Sequence, residues 1–218
     1  MFIVLDTHSS YIYVCVIQCE NMFLLSDDSW EVRETAFKGK GVFVTKQIEK
    51  GTVIGDYLGT VIQMSEYDIE EDSRGLYLMY LTDETCVYPD LSKPGLHFIN
   101  HSCNPNCWMY TYDFHTLFFA LRTIQSGEEL SISYLLSPLD STCDPCTHIC
   151  YCKEQSCTGT MHLSQSQFIL WQEFQKKRQQ IRGKIHHTVN SPLQRLKNYP
   201  STISADPIYE QIISMNTT

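Results

Sequence analysis

Turn signals cut most of the stretch from Trp30 to Tyr134 into short runs. Gly39-Lys40-Gly41 and Lys50-Gly51 read as turns, Gly55 and Gly59 break an apolar run, and Gly127-Glu128-Glu129 precedes Leu130. Between them lie segments that alternate or are rich in β-branched and aromatic residues. These are Glu31 to Thr35, Val42 to Val44, Val53 to Val61, Tyr77 to Leu81, Thr85 to Tyr88, Leu117 to Arg122 and Leu130 to Tyr134. Such runs read as short strands, and together they predict a mainly β domain.

The flanks differ. Residues 1–29 are apolar with short polar breaks; Tyr11 to Ile17 reads as a strand, with Cys15 and Cys19 as small buried hydrophobes. Ser65 to Asp72 reads as a short helix capped by Ser65, its acidic run a solvated face. Past Leu136 the chain is a cysteine-rich loop up to Cys157. Phe168, Trp171, Phe174 and Ile181 fall in a helical rhythm opposite Lys176, Lys177, Arg178 and Arg182, and Gly183 ends it. We read that helix as a packing element. Asp206-Pro207 is an N-cap and first-turn pair that starts a helix to about Met215. The resulting division is 1–29, 30–136, 137–163 and 164–218.

The 218 residues carry a formal charge of -9, which argues against nucleic-acid binding as the main task. An acidic surface suits a basic partner such as a lysine-rich peptide. Met1 to Asp6 lacks the basic start of a signal peptide, and no run is apolar enough to span a membrane. An intracellular, reducing location is therefore expected, in the cytoplasm or nucleus, where the ten cysteines favour metal over disulfides. Cys150, Cys152 and Cys157 form C-x-C-x4-C, three thiolates suited to a tetrahedral zinc. Candidates for the fourth ligand are Cys143, Cys146, His148, Cys107 and Cys103. Zinc loops also occur in binding modules, so this cluster alone does not define an enzyme.

The string Phe98-Ile99-Asn100-His101-Ser102-Cys103-Asn104-Pro105-Asn106 runs from apolar residues into small polar ones. Asparagine offers donors and an acceptor, and a neutral histidine offers one of each, which suits a ligand with a purine and an amino-acid head. An Asn-rich turn with a capping histidine fits the string equally well. The string resembles the NHxCxPN motif of the SET domain family of protein lysine methyltransferases. In family order, Gly39-Lys40-Gly41-Val42-Phe43 resembles its GxG turn, and Asp56-Tyr57-Leu58-Gly59 its ExYxG-like strand. Gly75-Leu76-Tyr77-Leu78-Met79 resembles the strand with a channel tyrosine, and Gly127 to Tyr134 the GEEL segment. The C-x-C-x4-C run followed by Thr158-Gly159 resembles the post-SET zinc loop. The resemblance covers roughly Trp30 to Leu163.

That resemblance implies several small curved sheets and a pseudoknot where Phe98–Asn106 meets Leu130–Tyr134, followed by C-terminal helices. It implies S-adenosylmethionine as cofactor, bound by Gly39, Lys40, Gly41, Asn100, His101, Tyr134 and Met161, with Leu163 an alternative to Met161 against the adenine. It implies Tyr134 as the main catalytic tyrosine, Tyr77 lining a lysine channel, and zinc on Cys103, Cys150, Cys152 and Cys157. The implied partner is a lysine-containing protein, a histone among them, with no nucleic acid or membrane involved. The sequence departs from the family at His97 (usually Arg), Thr60 (often Glu) and Ile132-Ser133 (often Phe-Asp). In the family the position of Ile132 helps set how many methyls are added; an isoleucine, without a hydroxyl, points to di- or trimethylation. A catalytically silent SET module and a zinc-loop interaction protein are the competing readings.

Overall fold

A computed structural model describes residues 22–66, 76–82, 84–179 and 188–216. The strand expected at Tyr11 to Ile17, Cys15 and Cys19, residues 67–72 of the acidic segment and the end of the helix around Ile181 lie outside them. Among the described residues no helix is long and apolar enough to cross a membrane.

The expected β architecture is present as small sheets. β1 (Trp30–Glu34) and β2 (Lys40–Val44) form an antiparallel hairpin across the Gly39 turn. Gly39 has φ +66°, a left-handed value that glycine adopts without penalty. β3 (Val53–Asp56) and β4 (Thr60–Gln63) are the two halves of the run broken at Gly55 and Gly59. β5 (Met79–Tyr80) and β6 (Thr85–Tyr88) join β4 in a second sheet. β7 (Asn100–His101) is a two-residue strand, followed by β8 (Cys107–Tyr112) and β9 (His115–Ala120). β10 (Ser131–Ile132) lies parallel to β7, pairing Ser131 with Asn100 and Ile132 with His101. This crossing of two distant segments matches the expected pseudoknot.

β9 is the centre of the molecule. It pairs antiparallel with both β3 and β8, and all six of its residues are buried. Successive side chains of a strand point to opposite faces. Phe118 and Ala120 accordingly enter one core with Ile54, Val42, Ile99 and Leu130. Leu117 and Phe119 enter a second core with Val53, Trp108 and Tyr209. A sheet covered on both faces needs a buried apolar run, and Leu117 to Ala120 of β9 supply it.

The second core is roofed by the C-terminal helices. α1 (Gln165–Gln179) starts three residues before the expected Phe168 and contributes Phe168, Trp171 and Phe174. Its start is a capping box: the Gln167 amide N–H donates to Ser164 Oγ at 3.3 Å, and Ser164 N–H donates to Gln167 Oε1 at 2.8 Å. β11 (Ser191–Pro192) adds an edge to β4. α2 (Pro207–Ser214) begins as expected, with Asp206 accepting from Ile208 N–H. Tyr209 of α2 stacks on Trp108 with centroids 4.9 Å apart. The reading of α1 as a packing element agrees with this roof.

The tail also reaches β3. Tyr199 OH donates to Asp56 Oδ2 at 2.7 Å, and His115 Nδ1 meets the same oxygen at 2.7 Å. Asp56 is fully buried, so these contacts compensate a charge-bearing group removed from water.

Candidate active site and metal centre

The β7–β10 crossing positions the site. Asn100 is buried and its side-chain amide donates to Lys40 O at 2.9 Å and to Glu129 Oε1 at 2.8 Å. Glu129 Oε2 accepts from Lys38 Nζ at 2.6 Å. One carboxylate thereby ties the glycine turn to the asparagine. Gly41 sits between them: a Cβ there would lie 2.7 Å from Glu129 Oε1 and 3.0 Å from Asn100 Nδ2. The glycine is required by this close approach, which brings the turn, Asn100 and Glu129 into one frame. Lys40 is exposed, its Nζ lying 5.1 Å from the Phe98 ring centroid.

His101 links the proposed catalytic tyrosine to the thiol cluster. Its Nδ1 accepts from Tyr134 N–H at 3.2 Å, so the neutral ring carries its proton on Nε2. Nε2 lies 3.6 Å from Cys103 Sγ. The imidazole thus faces a sulfur on one side and the Tyr134 backbone on the other, and its ring meets the Tyr134 ring edge-on at 5.5 Å. Tyr134 is half-buried, and its OH donates to Ile99 O at 3.2 Å.

Tyr77 approaches the same segment from elsewhere. It is half-buried, its carbonyl accepts from Tyr57 OH at 2.6 Å, and its ring meets His97 edge-on at 5.9 Å. Both tyrosines therefore bear on the strip His97 to Ile99, Tyr77 through the imidazole and Tyr134 through the Ile99 carbonyl.

His97 is buried, and neither ring nitrogen has a partner among the described residues. Burial pushes its pKa from 6.5 down to about 4; Asp90 opposes the shift and Lys40 adds to it. A depressed histidine destabilises the fold in acid, because the unfolded chain takes a proton that the folded chain refuses. The contribution is complete above pH 6.5 and is lost as pH falls toward 4. Urea unfolding at pH 7 and 4.5 is expected to show about 2 kcal/mol more acid sensitivity in the native chain than in His97→Leu. Equal pH dependence of the two would remove His97 as its source.

The four cysteines expected to bind zinc converge. The sulfurs of Cys103, Cys150, Cys152 and Cys157 all lie within 4.8 Å of one another. Cys103 and Cys150 sulfurs are 3.7 Å apart, the edge of a tetrahedron with Zn–S near ~2.3 Å. Cys103 and Cys150 are buried, the other two half-buried. Hydrogen bonds from Cys150 first, then His101 and Thr158, hold the Cys103 thiol below its usual range. Met161 is buried in one apolar cluster with Cys103 and Cys150, against which Tyr134, Leu76 and Leu136 pack. The donor set, spacing and burial fit a structural zinc.

The remaining candidates for fourth ligand go elsewhere. Cys107 is wholly buried in β8, its Sγ donating to Asn106 Oδ1 at 3.3 Å, and burial pushes its thiol up. His148, Cys143 and Cys146 gather in a separate group.

Sequence reasoning missed the tail's grip on this centre. Gln167 is buried with its amide donating to Ile212 O and Asn216 Oδ1, both at 2.8 Å. Asn216 Nδ2 donates to Cys103 O at 2.7 Å. A polar chain thus runs from the start of α1 through the end of α2 to Cys103 of the thiol cluster. Ser164-x-x-Gln167 was the available signal. Gln167→Leu leaves those acceptors unpaired and is expected to cost about 2 kcal/mol. Differential scanning calorimetry should show the midpoint lowered by roughly 4–8 °C.

An aromatic rim lies between the glycine turn and the thiol cluster. Exposed Phe37, near the glycine turn, stacks on exposed Tyr151 of the cysteine loop at 6.2 Å, and Lys153 Nζ lies 4.9 Å from the Phe37 centroid. These exposed rings bridge the glycine turn and the thiol cluster.

A profile of the SET domain matches residues 39–135. Histone-lysine N-methyltransferase trithorax of Drosophila virilis is 36% identical over 118 residues, half of this chain and 3% of that protein. A histone-lysine N-methyltransferase, H3 lysine-36 specific, of Mycosarcoma maydis is 33% identical over 144 residues, 60% of this chain and 14% of that protein. Its namesake in Candida albicans is 30% identical over 163 residues, 68% of this chain and 18% of that protein. The chain therefore spans less than a fifth of the length of these relatives. The matched stretch runs from the Gly39 turn to just past Tyr134 and includes the whole β7–β10 crossing: this chain carries a SET domain and belongs to the SET domain family.

Proposed function

We propose that this protein transfers methyl groups from S-adenosylmethionine to the side-chain amine of lysine in a basic protein, a histone foremost. The observation that carries the reading is the β7–β10 crossing, which sets Asn100-His101 beside Ser131 to Tyr134 and points the Tyr134 hydroxyl at the Ile99 carbonyl. The relatives' names, histone-lysine N-methyltransferases, agree with it. They also favour action on chromatin, and the formal charge of -9 suits a basic substrate.

The cofactor supplies an electrophilic methyl group on a sulfonium. The backbone of Gly39, Lys40 and Gly41, the strand residues Asn100 and His101, and the Phe37–Tyr151 rim are its holders, with Met161 packed behind. The side chains of Asn100 and His101 are engaged within the protein, so these two residues serve by fixing the frame and through their backbone. Tyr134 and Tyr77 orient the lysine amine. A tyrosine with a reference pKa near ~10 is a poor base at neutral pH, so Tyr134 positions and polarises while water removes the proton. Desolvation and a neighbouring cation both lower an amine's pKa from ~10.4. Zinc on Cys103, Cys150, Cys152 and Cys157 holds residues 137–163 as a post-SET loop, and 164–218 is a bracing extension.

Methyl transfer from radiolabelled S-adenosylmethionine to histones and lysine-rich peptides tests the reading, with calorimetry for cofactor binding. Incorporation into lysine supports it. Binding without transfer would leave a silent peptide-binding module, and no binding a zinc-loop interaction protein. Ile132 is buried in the main core and has no hydroxyl to hold a water in place of a methyl. Mass spectrometry of the product is accordingly expected to show di- or trimethyl-lysine; monomethyl-lysine alone would refute that.

A further inference from the structure

We infer that the chain holds a second zinc ion, on Cys143, Cys146, His148 and His162. This site is separate from the four-cysteine cluster and does not depend on the methyltransferase reading.

The four ligand atoms lie within 4.8 Å of one another. Cys143 Sγ is 3.2 Å from His148 Nδ1 and 3.6 Å from His162 Nε2. Cys146 Sγ is 3.9 Å from His148 Nδ1 and 3.5 Å from His162 Nε2. A tetrahedral centre with Zn–S near ~2.3 Å and Zn–N near ~2.0 Å has sulfur–nitrogen edges of about 3.5 Å. The four observed edges scatter around that value. The enclosed space suits one ion, and two thiolates with two imidazoles are a donor set that selects zinc.

The histidines are also oriented as ligands. His162 Nδ1 donates to Ser137 O at 2.6 Å, which fixes the tautomer and leaves the Nε2 lone pair facing both sulfurs. The His148 and His162 rings stand nearly perpendicular, at 87°, with centroids 5.0 Å apart. Two close imidazoles need a shared partner if both point a nitrogen at the same pair of thiols.

The backbone explains how such distant residues meet. Ile149 pairs antiparallel with Thr160, Met161 N–H donates to His148 O at 2.9 Å, and Cys150 N–H donates to Gly159 O at 3.1 Å. One end of this short ladder carries His148 and His162. The other carries Cys150 and leads to Cys157. A single hairpin therefore presents ligands to a different ion at each end. The second ion would clamp the start of the loop, Cys143 and Cys146, onto its return strand, which is itself paired to Leu136 through His162. It would thus hold the stretch that directly follows Tyr134.

Metal analysis of the full chain purified without chelator is the test. Two zinc equivalents are expected in the native protein. Cys143→Ser combined with Cys146→Ser should lose one equivalent, and Cys150→Ser combined with Cys152→Ser should leave one. Unchanged zinc content after the first pair of substitutions would overturn the proposal, whatever the activity. Should that variant fail to fold, cobalt titration of the native chain decides. A second equivalent with the weaker sulfur-to-metal absorption of a two-thiolate site supports the proposal. Saturation at one equivalent, with four-thiolate absorption alone, overturns it.

Discussion

Cys150→Ser is expected to empty the four-cysteine centre and melt the loop built on it, while the two β cores survive. Cys150 is buried, 3.7 Å from the Cys103 sulfur, and its N–H pairs with Gly159 O. Structural zinc in small domains is worth about 10 kcal/mol or more at neutral pH, comparable with the whole stability of an average protein. The cores around β9 are apolar and include none of the four cluster cysteines, so the loss stays local rather than global. Hydrogen exchange is the measurement that separates the two. Protection should vanish at position 150 and at Cys157 and persist at Phe118 and Ala120. Cofactor affinity should fall at least tenfold, because Tyr151 and Met161 lose their placement. Native protection at Cys157 in the variant would show that the loop holds without the four-cysteine centre.

Tyr134→Phe carries the largest expected effect on chemistry and a small one on stability. The ring packs beside His101 and against Met161 and Leu136, and phenylalanine keeps that packing. What disappears is one hydrogen bond to Ile99 O, worth about 1 kcal/mol to the fold. If the hydroxyl orients and polarises at the reacting centre, its removal should lower kcat by roughly 10²–10³-fold. Cofactor affinity should be unchanged and the melting temperature lowered by only a few degrees. Tyr77→Phe should do less, since its ring bears on His97 rather than on the Ile99 carbonyl. Native-like turnover in Tyr134→Phe would place the chemistry on other groups.

The β domain was legible because most of its strands alternate or run apolar between glycines. The run at Thr85 to Tyr88 is observed with the expected bounds, and Leu117 to Ala120 of β9 read as continuous apolar sequence because both faces are covered. β8 escaped notice although Cys107 to Tyr112 is aromatic and a good strand former; it follows Asn104-Pro105-Asn106, which reads as a turn. β7, β10 and β11 are two residues long, too short for any periodicity, and exist only through distant pairing. Cys103 could be assigned to the metal only through resemblance, since nothing local sets it above Cys107. Convergence of the sulfurs made the distinction, placing Cys103 at the cluster and Cys107 in the core, though both are buried. The second cluster hid because the Cys150–Cys157 loop separates His148 from His162, masking any zinc-finger spacing. Gln167 hid because a glutamine in a helix reads as solvated. It is buried here only because every polar atom finds a partner.

The hydrogen bond from Asn216 to Cys103 spans 113 positions, and that from Tyr199 to Asp56 spans 143. During synthesis the thiols of the four-cysteine centre can assemble once Cys157 has emerged, yet the segment carrying Asn100 and His101 is not braced until Asn216 follows. Contacts this remote are slow to form, since chain closure must precede them. The nascent chain therefore passes through a stage with sulfur ligands gathered and the pocket still loose, and a released chain truncated after Leu163 should capture it.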